Sequence, residues 1–392
     1  MSQSLTLAVA SAIAISGSAM AGIFGSGNVV VERIGNGTTA LSSAATAVSV
    51  IEMNTAGVTQ QQLDLPTSGG TQVTDSGSAT SNGYLNVYNG LLAVSGYNAA
   101  SGTASVASTN NKVGTVIGSD GNVSTATRTL FPTGGANGTP PSPFSGNNFR
   151  SMIATGANTF YASGSSSGTP ITGGVWYANN GSFTQLSSTA AGQPTNMRNV
   201  EIYGGNLYTS SAASTGYGVW QVGTGLATTA GQTSTLLINA GAGASTYGFV
   251  LFDTNSDGTN DLAYLADDRT TAGGGLQKWV LTGGTWTNSW SVLVNATGAT
   301  STTAGTGFAG IRGLTGTWDA LNGAQLFATT TETSNNRVIG FSDTGTTPTS
   351  FTNLASAGTN YVFRGVDLTA VPAPGAAALL GLAGLITNRR RK

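Results

Sequence analysis

Phe149-Arg150-Ser151-Met152 returns three times along the chain with the arginine in the same place: Met197-Arg198-Asn199-Val200, Ile311-Arg312-Gly313-Leu314 and Phe363-Arg364-Gly365-Val366. Weaker copies without the arginine stand at Tyr84-Leu85-Asn86-Val87 and Gly248-Phe249-Val250-Leu251. With Leu85, Arg150, Arg198, Phe249, Arg312 and Arg364 taken as equivalent, the steps between copies are 65, 48, 51, 63 and 52 residues. Self-similarity at a period of this size marks an array of supersecondary units. Each step carries the same series. A first apolar run holds the motif, and a second reads Leu207-Tyr208-Thr209-Ser210 or Leu326-Phe327-Ala328-Thr329. A third reads Gly-Val-Trp, as at 174–176 and 218–220, and a fourth follows a glycine turn.

Apolar, β-branched runs separated by Gly/Asn turns recur at 28–32, 48–53, 91–96, 174–177, 200–203, 218–222 and 276–281, and no stretch between the two ends has helical periodicity. The fold class is therefore all-β. Four strands in each step of roughly 50–60 residues describe a blade of a β-propeller. Residues 28–65 resemble the second, third and fourth strands of a blade without a first, while 361–367 read as a first strand with nothing after it. Joining them predicts six four-stranded blades closed by the C-terminal strand, an arrangement that leaves no exposed edge. Seven blades is the alternative count if two units have merged. A β-helix is the competing fold, but its repeats are shorter and more regular.

Both ends read as processing signals. An apolar run at 5–15 is followed by small residues and by Ala19-Met20-Ala21, the pattern of a secretory signal peptide over 1–21, although no Lys or Arg precedes the run. At the other end stand Val371-Pro372-Ala373-Pro374, an apolar stretch at 375–386, and Arg389-Arg390-Arg391-Lys392. The prolines stop a preceding strand. The apolar stretch predicts a short helix that partitions into lipid, and the basic cluster stays on the cytoplasmic side. Twelve apolar residues rise only about 18 Å as a helix, which suits a temporary anchor.

These 22 residues resemble the PEP-CTERM sorting signal of Gram-negative bacteria in its V-P-A-P-G form, with Ala373 where the family's usual Pro-Glu-Pro has Glu. The resemblance implies a mature domain over 22–370 and a sorting tail over 371–392. It also implies an exosortase-type protease that removes the tail, and a final location at the cell envelope or outside the cell.

Composition narrows the chemistry. The chain has no cysteine and no histidine, which removes disulfides, thiolate chemistry, Ser-His-Asp and Cys-His catalysis and the usual zinc sites. Four of the 14 basic residues sit in the tail, leaving 10 against 15 acidic residues, a net of -5. No basic face for nucleic acid is expected.

The sharpest chemical motif runs from Asp253 to Leu262: Asp-Thr-Asn-Ser-Asp-Gly-Thr-Asn-Asp-Leu. Oxygen side chains at alternate positions around a glycine suit a hard cation. Asp253, Asn255, Asp257 and Asp261 would offer side-chain oxygens and Thr259 its carbonyl, and three carboxylates crowded into nine residues repel one another without a cation. Tyr264 stands where an EF-hand has its twelfth-position glutamate, and strands flank the loop. The pattern resembles the calcium loops of FG-GAP propeller blades, which implies a structural calcium between the first and second strands of one blade. The other reading is an Asn/Asp/Gly-rich hairpin turn that needs no metal.

The recurring arginines admit two roles. Arg150, Arg198, Arg312 and Arg364 could ring a central channel and draw in an anionic ligand. Alternatively each could join neighbouring blades through its five donors, the reading favoured here. Trp176, Trp220 and Trp279 fall at matching third-strand positions, which suits packing between blades better than sugar stacking, and Tyr177, Trp286 and Trp290 belong to the same aromatic set. The function expected is that of a non-catalytic envelope or matrix protein that binds a polysaccharide or another surface protein. The alternative is an extracellular glycan hydrolase or lyase using carboxylates such as Glu201, Asp319 or Glu332 in the channel.

Overall fold

Short runs of apolar and β-branched residues, each broken by glycine or asparagine, pair most readily with their neighbours in sequence, and hairpins result. Four of the turns are two-residue loops: Asn89-Gly90, Asn180-Gly181, Gly204-Gly205 and Gly283-Gly284, with both residues at positive φ. That is the type I′ geometry whose twist matches the flanking strands. The computed structural model describes residues 23–134 and 142–369, so the signal peptide expected at 1–21 and the tail expected at 371–392, with its apolar helix, lie outside the described residues. Among the described residues there are two 3-10 turns, Val106–Ser108 and Val123–Thr125. No helix there is long and apolar enough to cross a membrane.

The strands in chain order are β1 (Val29–Gly35), β2 (Ala45–Met53), β3 (Thr59–Asp64), β4 (Thr74–Ser76), β5 (Asn86–Tyr88), β6 (Leu91–Tyr97), β7 (Lys112–Ile117) and β8 (Thr127–Leu130). A four-stranded sheet follows, made of β9 (Phe149–Gly156), β10 (Thr159–Gly164), β11 (Gly174–Asn179) and β12 (Ser182–Gln185). Another holds β13 (Met197–Tyr203), β14 (Asn206–Ala213), β15 (Gly216–Val222) and β16 (Ser234–Asn239). The next has β17 (Thr246–Phe252), β18 (Leu262–Asp267), β19 (Gly275–Thr282) and β20 (Thr285–Asn295), with short β21 (Thr300–Ser301) and β22 (Phe308–Ala309) at its outer end. The last small sheet is β23 (Ile311–Asp319), β24 (Gly323–Thr330), β25 (Arg337–Asp343) and β26 (Thr352–Ser356). Finally β27 (Tyr361–Leu368) pairs antiparallel with β1, Val29 opposite Leu368 and Gly35 opposite Tyr361.

The molecule is thus all-β, a propeller-like arrangement of small antiparallel sheets. It departs from the expectation of six separate blades. The described residues form four separate small sheets, and β1 to β8 with β27 form a single nine-stranded sheet. The cause is β4, which pairs with the start of β2, Ala45 opposite Ser76, and touches β6 through Thr74 opposite Tyr97. It bridges the set β27-β1-β2-β3 to the set β5-β6-β7-β8. The innermost strands contact one another in the order β27, β5, β9, β13, β17, β23 and back to β27.

The sheets pack face to face through apolar side chains. Between the nine-stranded sheet and the β9 sheet lie Phe131, Phe144, Phe149, Phe160 and Met152, with the Phe131 and Phe149 rings 4.8 Å apart. Trp176 and Trp220 are buried and each donates its indole N–H to the carbonyl four residues before it, Thr172 and Gly216, at 3.0 Å. Trp279 is buried too and donates to Gln277, while Trp290 is buried against Tyr264 and Phe341.

Candidate functional site

The repeated four-residue motif folds as a β-bulge. On β9, β13, β17, β23 and β27 one extra residue is inserted against the second strand, between Phe149 and Ser151, Met197 and Val200, Thr246 and Phe249, Ile311 and Leu314, and Phe363 and Val366. A bulge re-aims the side chain it carries. This register puts Tyr247, and not Phe249, in the place of Arg150, Arg198, Arg312 and Arg364. The signal was present in the sequence, because Thr246-Tyr247-Gly248-Phe249 has its glycine where Ile311-Arg312-Gly313-Leu314 has Gly313.

Each bulge carbonyl is capped by a hydroxyl from the neighbouring sheet. Ser95 donates to the Arg150 carbonyl, Ser163 to Arg198, Ser210 to Tyr247 and Thr329 to Arg364. On β18 the matching residue is Ala266, which has no hydroxyl, and the Arg312 carbonyl is reached instead by the Tyr84 hydroxyl at 3.3 Å. Tyr84 is buried, and its ring lies 6.2 Å from that of Tyr247. The guanidinium of Arg198 sits 3.7 Å from the Tyr247 ring centre and that of Arg312 5.7 Å from it. At the level of the arginines the space between the innermost strands is therefore occupied by two tyrosines.

Arg150 and Arg198 reach the next sheet, Arg312 bonds within its own sheet and to the preceding one, and Arg364 bonds within the nine-stranded sheet. Arg150 donates to Asn196 and to the Met197 carbonyl at 2.8 Å, and Arg198 to Ser245 and the Thr246 carbonyl. Arg312 bonds the Thr331 carbonyl and pairs with Asp268 at 3.3 Å. Arg364 donates to the Gly77 carbonyl.

Three residues beyond Arg198 and Arg364 stand two carboxylates, Glu201 and Asp367. Asp367 on β27 accepts Val87 N–H and the Thr315 hydroxyl, both at 2.6 Å, and Leu368 N–H at 2.7 Å, so it clasps strands on both sides. Glu201 on β13 accepts from Asn199 at 2.8 Å, and Asn199 in turn continues through Ser151 to Asn86. Burial pushes Asp367 up to about 6 against the lowering effect of its three donors. Burial first, and then the charge of Asp367, hold Glu201 well above the usual carboxylate range. Neither Asp319 nor Glu332 joins them: Asp319 is exposed and caps the turn at Leu321 and Asn322, and Glu332 pairs with Arg337 at 2.8 Å.

The carboxylate pair gives a pH prediction. A carboxyl whose folded pKa is raised holds its proton more firmly folded than unfolded, so its contribution to stability falls as pH rises through the window between the two values. Glu201→Gln keeps the Asn199 bond and removes the charge. The variant should unfold at a higher temperature than the parent, with the gap widening from pH 5 to pH 9; a gap that stays flat or narrows would count against the pairing.

Beside this channel mouth opens a groove of about 660 Å³ between the β13 and β17 sheets. Tyr203, which ends β13, lines it, and its hydroxyl donates to the Phe249 carbonyl at 3.1 Å. Its other walls include Tyr208, Phe252, Trp286 and Trp318, with the polar tips of Asn206 and Gln221 between them. Trp286 and Trp318 are half-buried, each with one side packed on the core and the other facing the groove. Trp318 belongs to the long far end of β23, which extends past its neighbours; nothing in the repeat motif marks it.

The loop at 253–261 forms one lip of the same groove. Asp253 accepts N–H groups of Asp257 at 3.2 Å and Gly258 at 2.8 Å through its two oxygens, and Asp261 accepts the N–H and hydroxyl of Thr254, both at 2.9 Å. Asp257 accepts Thr259 N–H and the Asn255 amide. Every carboxylate oxygen of the loop thus has a donor from the loop itself. Among the described residues no group of three or more acidic side chains is placed to hold a metal ion. Hydrogen bonds within the loop hold the turn in this arrangement.

No family model and no curated protein matches the chain. Among solved structures with some similarity, a GH74 enzyme from Niastella koreensis, 14% identical, covers 82% of this chain and 46% of its own with a TM-score of 0.43. A Trypanosoma rangeli sialidase, 10% identical, covers 88% and 53% with a TM-score of 0.39.

Proposed function

We propose that this protein is a non-catalytic, exported propeller that binds a carbohydrate chain in the groove between the β13 and β17 sheets. The observation that supports it is the set of half-buried rings, Trp286, Trp318 and Tyr203, facing one open cleft with amide side chains between them. Aromatic faces pack on the C–H faces of sugars while amides read the hydroxyls, which suits a neutral or weakly acidic glycan. The blade count that goes with this reading is six: the nine-stranded sheet is taken as two blades fused by β4. The ends then serve export, with 1–21 as signal peptide and 371–392 as a sorting tail that an exosortase-type protease removes at the envelope.

The enzymatic reading rests on Glu201 and Asp367. Asp367 has both oxygens committed to three donors, so a single carboxylate remains with a free oxygen, and a two-carboxylate mechanism lacks its second member. Binding is the better-supported function.

Calorimetry against dextran, xyloglucan and alginate tests it. Each stacked ring contributes about 0.5–1.5 kcal/mol, so Trp286→Ala and Trp318→Ala are each expected to weaken binding of the responsive glycan about two- to tenfold. No binding to any of these polymers, or binding that both variants leave untouched, would remove the groove from consideration. Release of reducing ends from a bound glycan, lost in Glu201→Gln, would favour the enzyme instead.

A further inference from the structure

Four buried oxygens gather where β1, β4 and the turn before β5 meet, and none has a donor. Glu32 on β1 is fully buried with both carboxylate oxygens unpartnered; Asp75 Oδ2 on β4 and Asn82 Oδ1 are in the same condition. The Asn82 amide cannot be reversed to relieve this. Its Nδ2 donates to Asp75 Oδ1 at 2.9 Å and to the Tyr97 hydroxyl at 3.0 Å, and reversal would set the amide oxygen against the Asp75 carboxylate oxygen. Arg364 lies close by but is turned to the Gly77 carbonyl at 3.1 Å, and no ion pair among the described residues reaches Glu32 or Asp75. Gly83, at φ +78, lets the chain come close to both side chains: an added Cβ would stand 2.9 Å from Arg364 side-chain carbons and 3.0 Å from Glu32 Oε1.

A buried acceptor without a donor costs about 1–3 kcal/mol, and a charged one more. Two buried carboxyl groups here share a single arginine. The buried Arg364 Nε is an unpartnered donor beside them, one donor against four acceptors, and an excess of oxygen acceptors is what a hard cation takes as ligands. We propose that this pocket binds a divalent cation, calcium by its all-oxygen donor set, with Glu32, Asp75 and Asn82 as protein ligands. The ion would fasten β1, which receives the last strand of the chain, to β4, which fuses the two halves of the nine-stranded sheet. This site is distinct from the loop at 253–261, whose oxygens are all engaged.

The full chain, stripped with a chelator and titrated with calcium chloride by calorimetry, should take up one equivalent and unfold at a higher temperature as calcium rises. Glu32→Gln and Asp75→Asn should each weaken uptake at least about tenfold, since affinity follows ligand charge, while Asp253→Asn leaves it unchanged. If the pocket variants fail to fold, crystals of the parent grown with terbium decide the matter. An anomalous peak should stand about 2.3–2.6 Å from Glu32 and Asp75 oxygens. No saturable uptake at millimolar calcium, uptake lost in Asp253→Asn and kept in Glu32→Gln, or a terbium peak elsewhere would each overturn the proposal.

Discussion

A chain ending at Asn360 is expected to lose its cooperative thermal transition, whereas one ending at Thr369 should melt where the full chain does. The difference is β27. It buries Val362 in the cluster of Val30 and Ile34, and Phe363 and Val366 in that of Val29, Val31 and Phe327, completely or nearly so. Each such side chain contributes about 1.5–3 kcal/mol on leaving water, so these three together give about 5–9 kcal/mol. That is comparable with the whole stability of an ordinary domain, about 5–15 kcal/mol. The polar losses add to it. Asn336 bonds both the N–H and the carbonyl of Phe363, Thr329 caps Arg364, and Asp367 clasps Val87 and Thr315. Without β27, β1 also becomes an open edge that invites association. Near-ultraviolet circular dichroism during heating checks the result. A truncation at Asn360 that still melts sharply within a few degrees of the parent would show that β27 is an accessory strand.

That strand was legible in the sequence because it carries the strongest copy of the motif, Phe363-Arg364-Gly365-Val366, with no later strands to pair it. The motif's geometry was not. A bulge leaves no separate trace in a period-two pattern, so Phe249 was aligned with the arginines when the register places Tyr247 there. Composition also hid how the arginines are used. Their partners are carbonyls of Met197, Thr246, Thr331 and Gly77, and a carbonyl belongs to every residue. The fusion of the first two strand sets was equally invisible, since β4 is three residues, Thr74–Ser76, with no apolar member. In the candidate groove, Trp286 was noticed as an aromatic, but Trp318 was not, because its role depends on how far β23 runs beyond Gly316. Glu201 is visible in the sequence only as one carboxylate among several; its partner Asp367 lies 166 residues away and only the fold brings the two together.

Asp343→Ala should be the most damaging single substitution at a polar residue, lowering stability by about 3–5 kcal/mol, the usual result of removing one partner from a buried ion pair. Asp343 ends β25 and is almost wholly buried. One of its oxygens takes Lys278 Nζ at 2.7 Å and the Tyr264 hydroxyl, both from the β17 sheet, and the other takes Gly345 N–H at 2.6 Å. Burial, with the Asp343 carboxylate beside it, already holds the Tyr264 hydroxyl above its ordinary range. With the carboxylate gone, a lysine charge and a phenol are left facing each other between two sheets. The cause can be separated from simple loss of packing by a double-mutant cycle. Lys278→Met with Asp343→Ala should be no worse than Asp343→Ala alone, because the stranded charge has been removed as well. Urea unfolding of the four proteins measures this. A loss below about 1 kcal/mol for Asp343→Ala, or losses that simply add, would mean that the sheets are held by their apolar faces and the pair is incidental. Trp318 lies against the same cluster, beside Lys278, Tyr264 and Asp343. The substitution should therefore also weaken glycan binding in the adjoining groove, through the wall that Trp318 provides and without touching any other residue that lines it.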